Sequence, residues 1–94
     1  MMDGRLSAVF AKLFDTDNHG QILVKQDTHH ENFNPEVRFF FKPDGLGVCT
    51  MAIEFEDSDK GWDDCDAAFL RFQDEKEAVA MVASIKKQIE MGAV

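Results

Sequence analysis

Apolar and polar residues alternate through the middle of the chain, in three runs that two turn-rich stretches separate. The first two runs predict strands over residues 36–42 and 47–56, since successive side chains of a strand point to opposite faces. The sequence PDGLG between them predicts a turn, because proline presets φ and glycine accepts positive φ. With the turn centred near Gly45, the apolar positions of both strands fall on one face. The predicted pairs are Phe41 with Cys49, Phe39 with Met51 and Val37 with Ile53, and Phe55 shares their face.

Two further runs predict strands of the same sheet. Residues 67–72 alternate again, and a polar connection centred near Gly61 and Trp62 returns them to the sheet. The residues predicted opposite Phe55, Ile53 and Met51 are Ala68, Leu70 and Phe72. Residues 21–26 are β-branched and apolar at their centre, and they predict the first strand in chain order. The pattern leaves the pairing partner of that strand open.

Helical spacing of apolar residues occurs near both ends of the chain. Residues 3–14 predict an amphipathic helix with Asp3 as its N-cap. A second helix is predicted to begin at Asp74, with Glu77 three residues on, and to end at Gly92. The apolar stripe of the first helix is Leu6, Val9, Phe10, Leu13 and Phe14, and that of the second is Ala78, Val79, Val82, Ile85 and Ile89.

The predicted fold is a single small α+β domain over residues 1–94, in the order α-β-β-β-β-α. Its sheet has four mainly antiparallel strands, and the C-terminal helix covers the face that carries Val37, Phe39 and Phe41. The N-terminal helix lies beside that helix or across an edge of the sheet. Ninety-four residues, of which 45% are hydrophobic, suffice for one compact core.

The opposite face of the predicted sheet is only partly polar, although a solvated sheet face is normally polar throughout. Its apolar middle consists of Phe40, Val48, Ala52 and Phe69, and the residues around it are Arg38, Lys42, Thr50, Glu54 and Arg71. Three interpretations are open. The N-terminal helix covers this face, or the face binds a partner or a second copy of the chain, or its aromatic side chains are exposed without a role.

The net charge of the chain argues against two classes of binding partner. A net charge of −8 and a pI near 4.6 argue against direct binding to nucleic acid or to an anionic membrane, because both need Lys and Arg. No apolar run approaches the ~20 residues that span a bilayer, and no secretion signal is recognisable, so a cytoplasmic protein is expected. Cys49 and Cys65 fit a reducing compartment. They are predicted to lie too far apart for a disulfide, with Cys49 buried.

One segment contains residues that bind calcium in other proteins. Residues 14–23, FDTDNHGQIL, resemble the first half of an EF-hand calcium loop. The first three ligand positions would be Asp15, Asp17 and His19, with Gly20 at the sharp turn. The twelfth position carries Gln26 in place of the bidentate Glu that the EF-hand requires. The segment is therefore predicted to be a connection rather than a calcium site.

The other potentially reactive residues match no known metal-binding or catalytic pattern. His29, His30 and Glu31 lack the i, i+4 spacing of a helical metal pair, and they are predicted to be solvated loop residues. Cys65 stands among Asp63, Asp64 and Asp66, which raise rather than lower a thiol pKa. No phosphate-binding loop, nucleophile elbow or carboxylate pair at a known spacing occurs. No metal or cofactor is expected, and the chain is predicted not to be an enzyme.

Acidic residues are densest between positions 54 and 66, where they outnumber a single Lys60 and surround Trp62. They are Glu54, Glu56, Asp57, Asp59, Asp63, Asp64 and Asp66. The simplest interpretation is a solubilising loop. The functional interpretation is an acidic patch with an aromatic anchor, since like charges this close repel one another unless a cationic partner offsets them. In its sharpest form, the patch presents carboxylates where the phosphates of a nucleic acid would lie.

The leading hypothesis is a non-enzymatic interaction protein that binds a basic or nucleic-acid-binding protein. The contact surface is the acidic segment, the apolar sheet face, or both. The predicted contact residues are Glu54, Glu56, Asp57, Asp59, Trp62, Asp63, Asp64, Phe40 and Phe69. One alternative is a small-ligand or metal-binding module, monomeric or homodimeric, with a pocket between the sheet and residues 27–35. The other is an accessory subunit of a larger assembly.

Overall fold

Antiparallel strands form a meander in the first half of the described chain. A computed structural model describes residues 10–29, 31–43 and 47–92. Within these ranges the strands lie in the sheet in sequence order. They are β1 (Phe10–Thr16), β2 (Gly20–Thr28), β3 (Pro35–Phe41) and β4 (Cys49–Glu54), and the helices α1 (Asp59–Arg71) and α2 (Glu75–Glu90) follow. The order of the elements in the described residues is β-β-β-β-α-α, so the α+β class and the antiparallel sheet are confirmed, whereas the predicted order of elements is wrong over these residues.

The predicted register of the central hairpin is confirmed. In the ladder between β3 and β4, Phe41 pairs with Cys49, Phe39 with Met51 and Val37 with Ile53. The predicted strand over residues 21–26 is also confirmed as the centre of β2. Its pairing partner, which the sequence left open, is β1 on one side and β3 on the other. Residues 44–46 of the predicted turn lie outside the described residues.

The predicted N-terminal helix is wrong over residues 10–14, and residues 3–9 of that prediction lie outside the described residues. Residues 10–14 belong to β1, which pairs with β2 so that Leu13 faces Leu23 and Phe14 faces Ile22. Phe14 is buried on the core face, whereas Leu13 is 57% exposed on the other face. The ladder to β2 pairs the backbone groups along one side of this segment, and such tertiary pairing overrides a short helical spacing of apolar residues.

The predicted strand over residues 67–72 is also wrong, because these residues lie at the end of α1 and in the turn after it. The side chains of Cys65, Phe69 and Phe72 are buried, at the i, i+4 and i+7 spacing of one helix face. Leu70, which the alternation placed in the core, is 70% exposed. A short alternating run does not exclude a helix. Buried residues four and three positions apart, here Cys65, Phe69 and Phe72, form one face of a helix.

The core lies between the two helices and the sheet face that carries Val37, Phe39 and Phe41. The rings of Phe39 and Phe72 pack edge to face, with ring centroids 4.9 Å apart and an interplanar angle of 85°. From α2, the side chains of Ala78, Val82 and Ile85 join the same core. The predicted position and apolar stripe of the C-terminal helix are therefore confirmed.

The ends of α2 follow the predicted capping chemistry, with one difference. The Asp74 carboxylate accepts a hydrogen bond from the Lys76 backbone N–H at 3.0 Å, so Asp74 is the N-cap. Glu77 does not complete a capping box, because its carboxylate accepts from Arg71 instead. The helix is followed by Gly92 at a φ of 72°, as the stop signal predicts.

Candidate functional site

The acidic segment forms the start of α1 and the connection that leads into it. We call the exposed carboxylates of Glu56, Asp57, Asp59, Asp63, Asp64 and Asp66 the acidic surface. The segment is helical because Ser58 caps it: the Ser58 hydroxyl accepts a hydrogen bond from the Gly61 backbone N–H at 3.0 Å. The buried face of α1 fixes the helix on the sheet, and the acidic residues consequently face solvent.

Several of these carboxylates have partners within the chain. The Glu56 carboxylate accepts from the Ser58 hydroxyl, and the Asp57 carboxylate accepts from the Trp62 indole N–H at 3.3 Å. Lys60 pairs with Asp64 at 2.7 Å, one helical turn apart, and this hydrogen bond raises the pKa of Lys60. These contacts are exposed, so each contributes little to stability.

Asp66 is held from the sheet side. The Gln26 side chain, buried on the core face of β2, donates a 2.6 Å hydrogen bond to the Asp66 carboxylate. The same amide nitrogen lies 3.5 Å from the Cys65 sulfur. Burial raises the pKa of the Cys65 thiol, the Gln26 hydrogen bond opposes this, and the charges of Asp66 and Glu36 reinforce it.

Asp59 and Asp63 differ from the other acidic residues of α1. Within the part of the chain that the structure describes, neither carboxylate has a hydrogen bond or an ion pair. They are four residues apart on the exposed side of the helix, where like charges disfavour the helix by roughly 0.2–0.5 kcal/mol. The positive end of the helix dipole compensates Asp59 in the first turn, but its effect falls off before Asp63.

The same exposed side of α1 continues into an apolar residue. Leu70 lies eleven and seven positions after Asp59 and Asp63, which places all three on one stripe, and it is 70% exposed. Trp62 is half-buried at the margin of this stripe. The surface of α1 thus combines unpaired carboxylates with an exposed aliphatic side chain.

The remaining predicted contact residues lie elsewhere. Phe40 and Glu54 point to the outer face of the sheet, away from the helices, as predicted. The predicted position of Phe69 on that face is wrong, because Phe69 belongs to α1 and is 6% exposed in the core. In a helix, the Phe69 side chain points into the core, whereas the alternating pattern predicted that it points to the outer face of the sheet.

The outer sheet face carries an apolar row that the sequence did not reveal. Leu13, Leu23 and Phe40 are cross-strand neighbours on β1, β2 and β3. Leu23 and Phe40 are half-buried, and Leu13 is the most exposed of the three. Leu13 was missed because its strand was predicted to be a helix.

Beside this row, charged residues of β2, β3 and β4 meet. Glu36 pairs with Asp27 on one side and Glu54 on the other, and Arg38 forms two contacts to the Glu36 carboxylate, at 2.8 and 3.3 Å. This hydrogen bonding raises the pKa of Arg38 further. Burial opposes the rise and the charges of Glu36 and Glu54 assist it. The Glu36–Glu54 pairing follows from the predicted register, so the sequence already contained this signal.

At the edge of this charged group, Asp27 pairs with Lys25 at 2.9 Å. Burial alone would raise the pKa of Asp27, but hydrogen bonds from Lys25 and from the Thr28 N–H, with the Lys25 charge, lower it on balance. A cavity of ≈ 310 Å³ opens here on the outer face. It is lined by Lys25, Asp27, Thr28, His29, Glu36 and Arg38.

The calcium-loop resemblance falls on the hairpin turn between β1 and β2. The Thr16 hydroxyl donates to the Gly20 carbonyl at 2.7 Å and accepts from the His19 N–H, and Gly20 has a φ of 65°. His19 is directed to α2, with its Nδ1 3.1 Å from the Lys86 ammonium. The turn thus joins two strands, whereas an EF-hand loop joins two helices.

The two cysteines are free thiols in this structure. Cys65 is fully buried and Cys49 is half-buried, so the expectation that Cys49 is the buried thiol is wrong. The reason is again the helix: Cys65 was assigned to an acidic loop, but helical spacing turns it toward the sheet.

Comparison of the chain with protein families, with curated proteins and with solved structures found no match. Among the described residues, neither helix has the length and hydropathy needed to cross a membrane. The features that bear on function are therefore the acidic surface of α1 and the outer face of the sheet.

Proposed function

We propose that this protein is a non-enzymatic interaction protein that binds a basic protein partner through the acidic surface of α1. The observation that carries the proposal is the pair of Asp59 and Asp63, exposed carboxylates one helical turn apart without partners among the described residues. Their mutual repulsion disfavours the free protein, and a cationic partner would remove it. Binding would therefore gain from charges that cost stability in the unbound state.

The rigidity of α1 supports the same proposal. Ser58 caps the helix, and Cys65, Phe69 and Phe72 anchor it in the core. The carboxylates are consequently presented from a preformed helix and not from a loop that must become ordered. Such preorganisation lowers the entropy cost of association.

The charge spacing on α1 suggests which basic surface fits it. Between Asp59 and Asp66 four Asp and one Lys leave a net charge of −3 over seven residue steps. At ~1.5 Å per residue this is about one net charge per 3.5 Å, close to the one charge per ~3.4 Å of a single nucleic-acid strand. We therefore propose a nucleic-acid-binding site as the partner surface in the sharper form of this hypothesis.

The experiment is capture from the heparin-binding fraction of a cell lysate at increasing salt, with identification by mass spectrometry. Three immobilised proteins are compared: the wild type, D59N/D63N, and the control E75Q/E90Q. The control removes two exposed carboxylates from α2 and so changes the net charge equally. The proposal requires a protein that the wild type and the control capture and that D59N/D63N does not.

Two outcomes would contradict the proposal. Equal capture by D59N/D63N and wild type would mean that the acidic surface is not the contact. Loss of capture by both double variants would mean that binding depends on the net charge of the protein and not on the position of Asp59 and Asp63. For the sharper form, an oligonucleotide duplex should displace the captured protein, and failure of displacement would restrict the partner to a basic surface that does not bind nucleic acid.

The outer sheet face is a second candidate surface, because Leu13, Leu23 and Phe40 form an apolar row with Leu13 57% exposed. Under this alternative the protein associates with itself or with a partner through the sheet, and salt has little effect. Light scattering of wild type and L13S distinguishes the two. A dimer that becomes a monomer in L13S would support the sheet face.

A further inference from the structure

Three side chains that can bind a metal ion converge on the outer face of the sheet. His29 follows the end of β2, Glu36 lies in β3, and Glu54 ends β4. Their ligand atoms, one imidazole nitrogen and two carboxylate oxygens, all lie within 4.8 Å of one another. Residues from three separate positions in the sequence thus meet at one point of the sheet.

We propose that His29, Glu36 and Glu54 bind a divalent transition-metal ion, with Zn²⁺ as the best match. Zinc commonly takes His nitrogen and carboxylate oxygen at ~2.0–2.2 Å, which separates ligand atoms by roughly 3.3 Å in a tetrahedron. The ligand atoms would have to approach one another by up to about 1.5 Å. Glu54 can supply most of this movement because its side chain is exposed. Three protein ligands leave the fourth position to water.

The pairing of Glu36 with Glu54 favours a cation at this point. The two residues are directly opposite each other on adjacent strands, where like charges repel. Glu36 is 4% exposed, so solvent screens its carboxylate poorly. The neighbouring charges of Lys25, Asp27 and Arg38 sum to +1, so these residues together with Glu36 and Glu54 carry a net charge of −1.

Arg38 is compatible with metal binding by Glu36. Its Nε and Nη2 donate to the two Glu36 oxygens, and its Nη1 donates to the Thr50 hydroxyl at 3.0 Å. Each carboxylate oxygen can accept more than one interaction, so one remains available for the ion. A hydrogen-bonded carboxylate is the usual arrangement for a metal ligand, because the partner fixes its orientation.

The hydrogen bond of His29 gives the proposal a specific consequence. His29 Nδ1 accepts from the Glu31 backbone N–H at 3.2 Å. An ion on Nδ1 would take the lone pair that accepts this bond, and an ion on Nε2 would leave the ring proton on Nδ1. In either case the Glu31 backbone N–H loses its hydrogen-bond acceptor. The environment of the Glu31 amide therefore changes when the ion binds.

The cation class follows from the donor set. Mg²⁺ and Ca²⁺ prefer oxygen ligands only, whereas an imidazole with two carboxylates suits zinc and its transition-metal neighbours. The ≈ 310 Å³ cavity lined in part by His29 and Glu36 gives an ion access from solvent. The site is independent of the acidic surface, since its ligands project from the other side of the sheet.

The experiment is titration calorimetry of the full chain with ZnCl₂ and with MgCl₂, together with thermal unfolding in each. The test variants are H29Q and E54Q, whose side chains lie outside the core. The matched controls are H30Q, the adjacent histidine, and E56Q, an exposed carboxylate two residues from Glu54. A ¹⁵N spectrum with and without ZnCl₂ follows the Glu31 amide.

The proposal predicts one Zn²⁺ per chain, a higher melting temperature with Zn²⁺, and no comparable effect of Mg²⁺. H29Q and E54Q should weaken Zn²⁺ binding by at least the roughly 10- to 100-fold that loss of a ligand-supporting group costs, while H30Q and E56Q bind as wild type. The Glu31 amide resonance should shift. Equal Zn²⁺ affinity in all variants, loss in H30Q instead of H29Q, or absence of Zn²⁺ binding at millimolar concentration would overturn the proposal.

Discussion

The backbone carbonyl of Glu56 occupies the space in which a side chain at Gly61 would lie. Gly61 is buried in the first turn of α1, and a Cβ at this position would clash with the carbonyl oxygen and carbon of Glu56. The chain therefore leaves β4 and enters α1 by a tight approach that only glycine permits. The close contact between Gly61 and Glu56 fixes the start of α1 and, with it, the position of the acidic surface.

Gly61→Ala should consequently destabilise the protein, although alanine favours an exposed helix by about 1 kcal/mol over glycine. Overpacking costs about 1–3 kcal/mol, so the sign reverses. The control is Gly47→Ala, because nothing lies within 4 Å of a Cβ there. Urea unfolding of both variants checks the prediction, and an unchanged or higher stability of Gly61→Ala would contradict the close approach.

The N-cap of α1 gives a second prediction. Ser58→Ala removes the hydroxyl that accepts from the Gly61 N–H and should cost about 1 kcal/mol of unfolding free energy. Ser84→Ala, at an exposed position of α2, should change the unfolding free energy by less than about 0.5 kcal/mol. Equal effects of the two substitutions in chemical denaturation would mean that Ser58 does not cap the helix.

The helical structure of residues 67–71 can be tested by two neighbouring side chains. Phe69 is buried and Leu70 is 70% exposed, the reverse of what a strand over 67–72 predicts. Phe69→Ala should therefore cost about 3–5 kcal/mol, and Leu70→Ala less than about 0.5 kcal/mol. Thermal unfolding decides between the two structures, because a strand would make Leu70→Ala the more destabilising change.

The two thiols should react at different rates. Cys65 is buried, and burial raises its thiol pKa, whereas Cys49 is half-buried. A disulfide reagent at pH 8 should label Cys49 in the folded protein, and Cys65 should react only as the protein unfolds. Mass spectrometry of the labelled peptides measures this, and rapid labelling of Cys65 under native conditions would contradict its place in the core.

The same thiol has a consequence for pH dependence. Because the folded pKa of Cys65 lies above the unfolded value, the folded state holds its proton longer as the pH rises. The contribution of Cys65 to stability is therefore intact below the pKa of an unfolded cysteine and decreases as the pH rises above it. The decrease should be smaller in Cys65→Ala than in the wild type, after correction for the lower overall stability of that variant.

The sheet was predictable where two local signals agreed. For β3 and β4, the alternation of Phe39 with Met51 and the turn chemistry of PDGLG gave the same register, and that register is confirmed. For β2, the β-branched centre was sufficient to identify a strand but not its neighbours. Its partner β1 was concealed by the helical spacing of Phe10, Leu13 and Phe14.

The error at α1 has a different physical origin. Its buried stripe contains Gly61, which a hydrophobic pattern does not count as a core residue, and Cys65, which the surrounding acidic residues had assigned to a loop. The alternation of Ala68, Leu70 and Phe72 therefore dominated the prediction. Ser58, three residues before Gly61, was a usable N-cap signal. The acidic residues were recognised from composition, but their presentation by a helix could not be derived without that cap.

The group of His29, Glu36 and Glu54 was only half accessible from sequence. The confirmed register already placed Glu36 opposite Glu54. The position of His29 depends on the connection between β2 and β3, where the His29 N–H donates to the Asn34 carbonyl at 2.8 Å and the Phe33 N–H donates to the His29 carbonyl at 2.9 Å. Such a loop is set by tertiary contacts, so adjacency of His29 and His30 in sequence gave no guide to its neighbours.

The central claim is that Asp59 and Asp63 bind a cationic partner, and the most direct measurement is affinity for the captured protein as a function of salt. Dissociation constants of wild type, D59N/D63N and E75Q/E90Q are compared at low and high ionic strength. At about 0.05 M salt, the loss of two contact charges should weaken binding roughly 5- to 30-fold, and the difference should shrink near 1 M, where charges are screened beyond ~3 Å. The control should bind as wild type. Equal dissociation constants for wild type and D59N/D63N at low salt would contradict the claim.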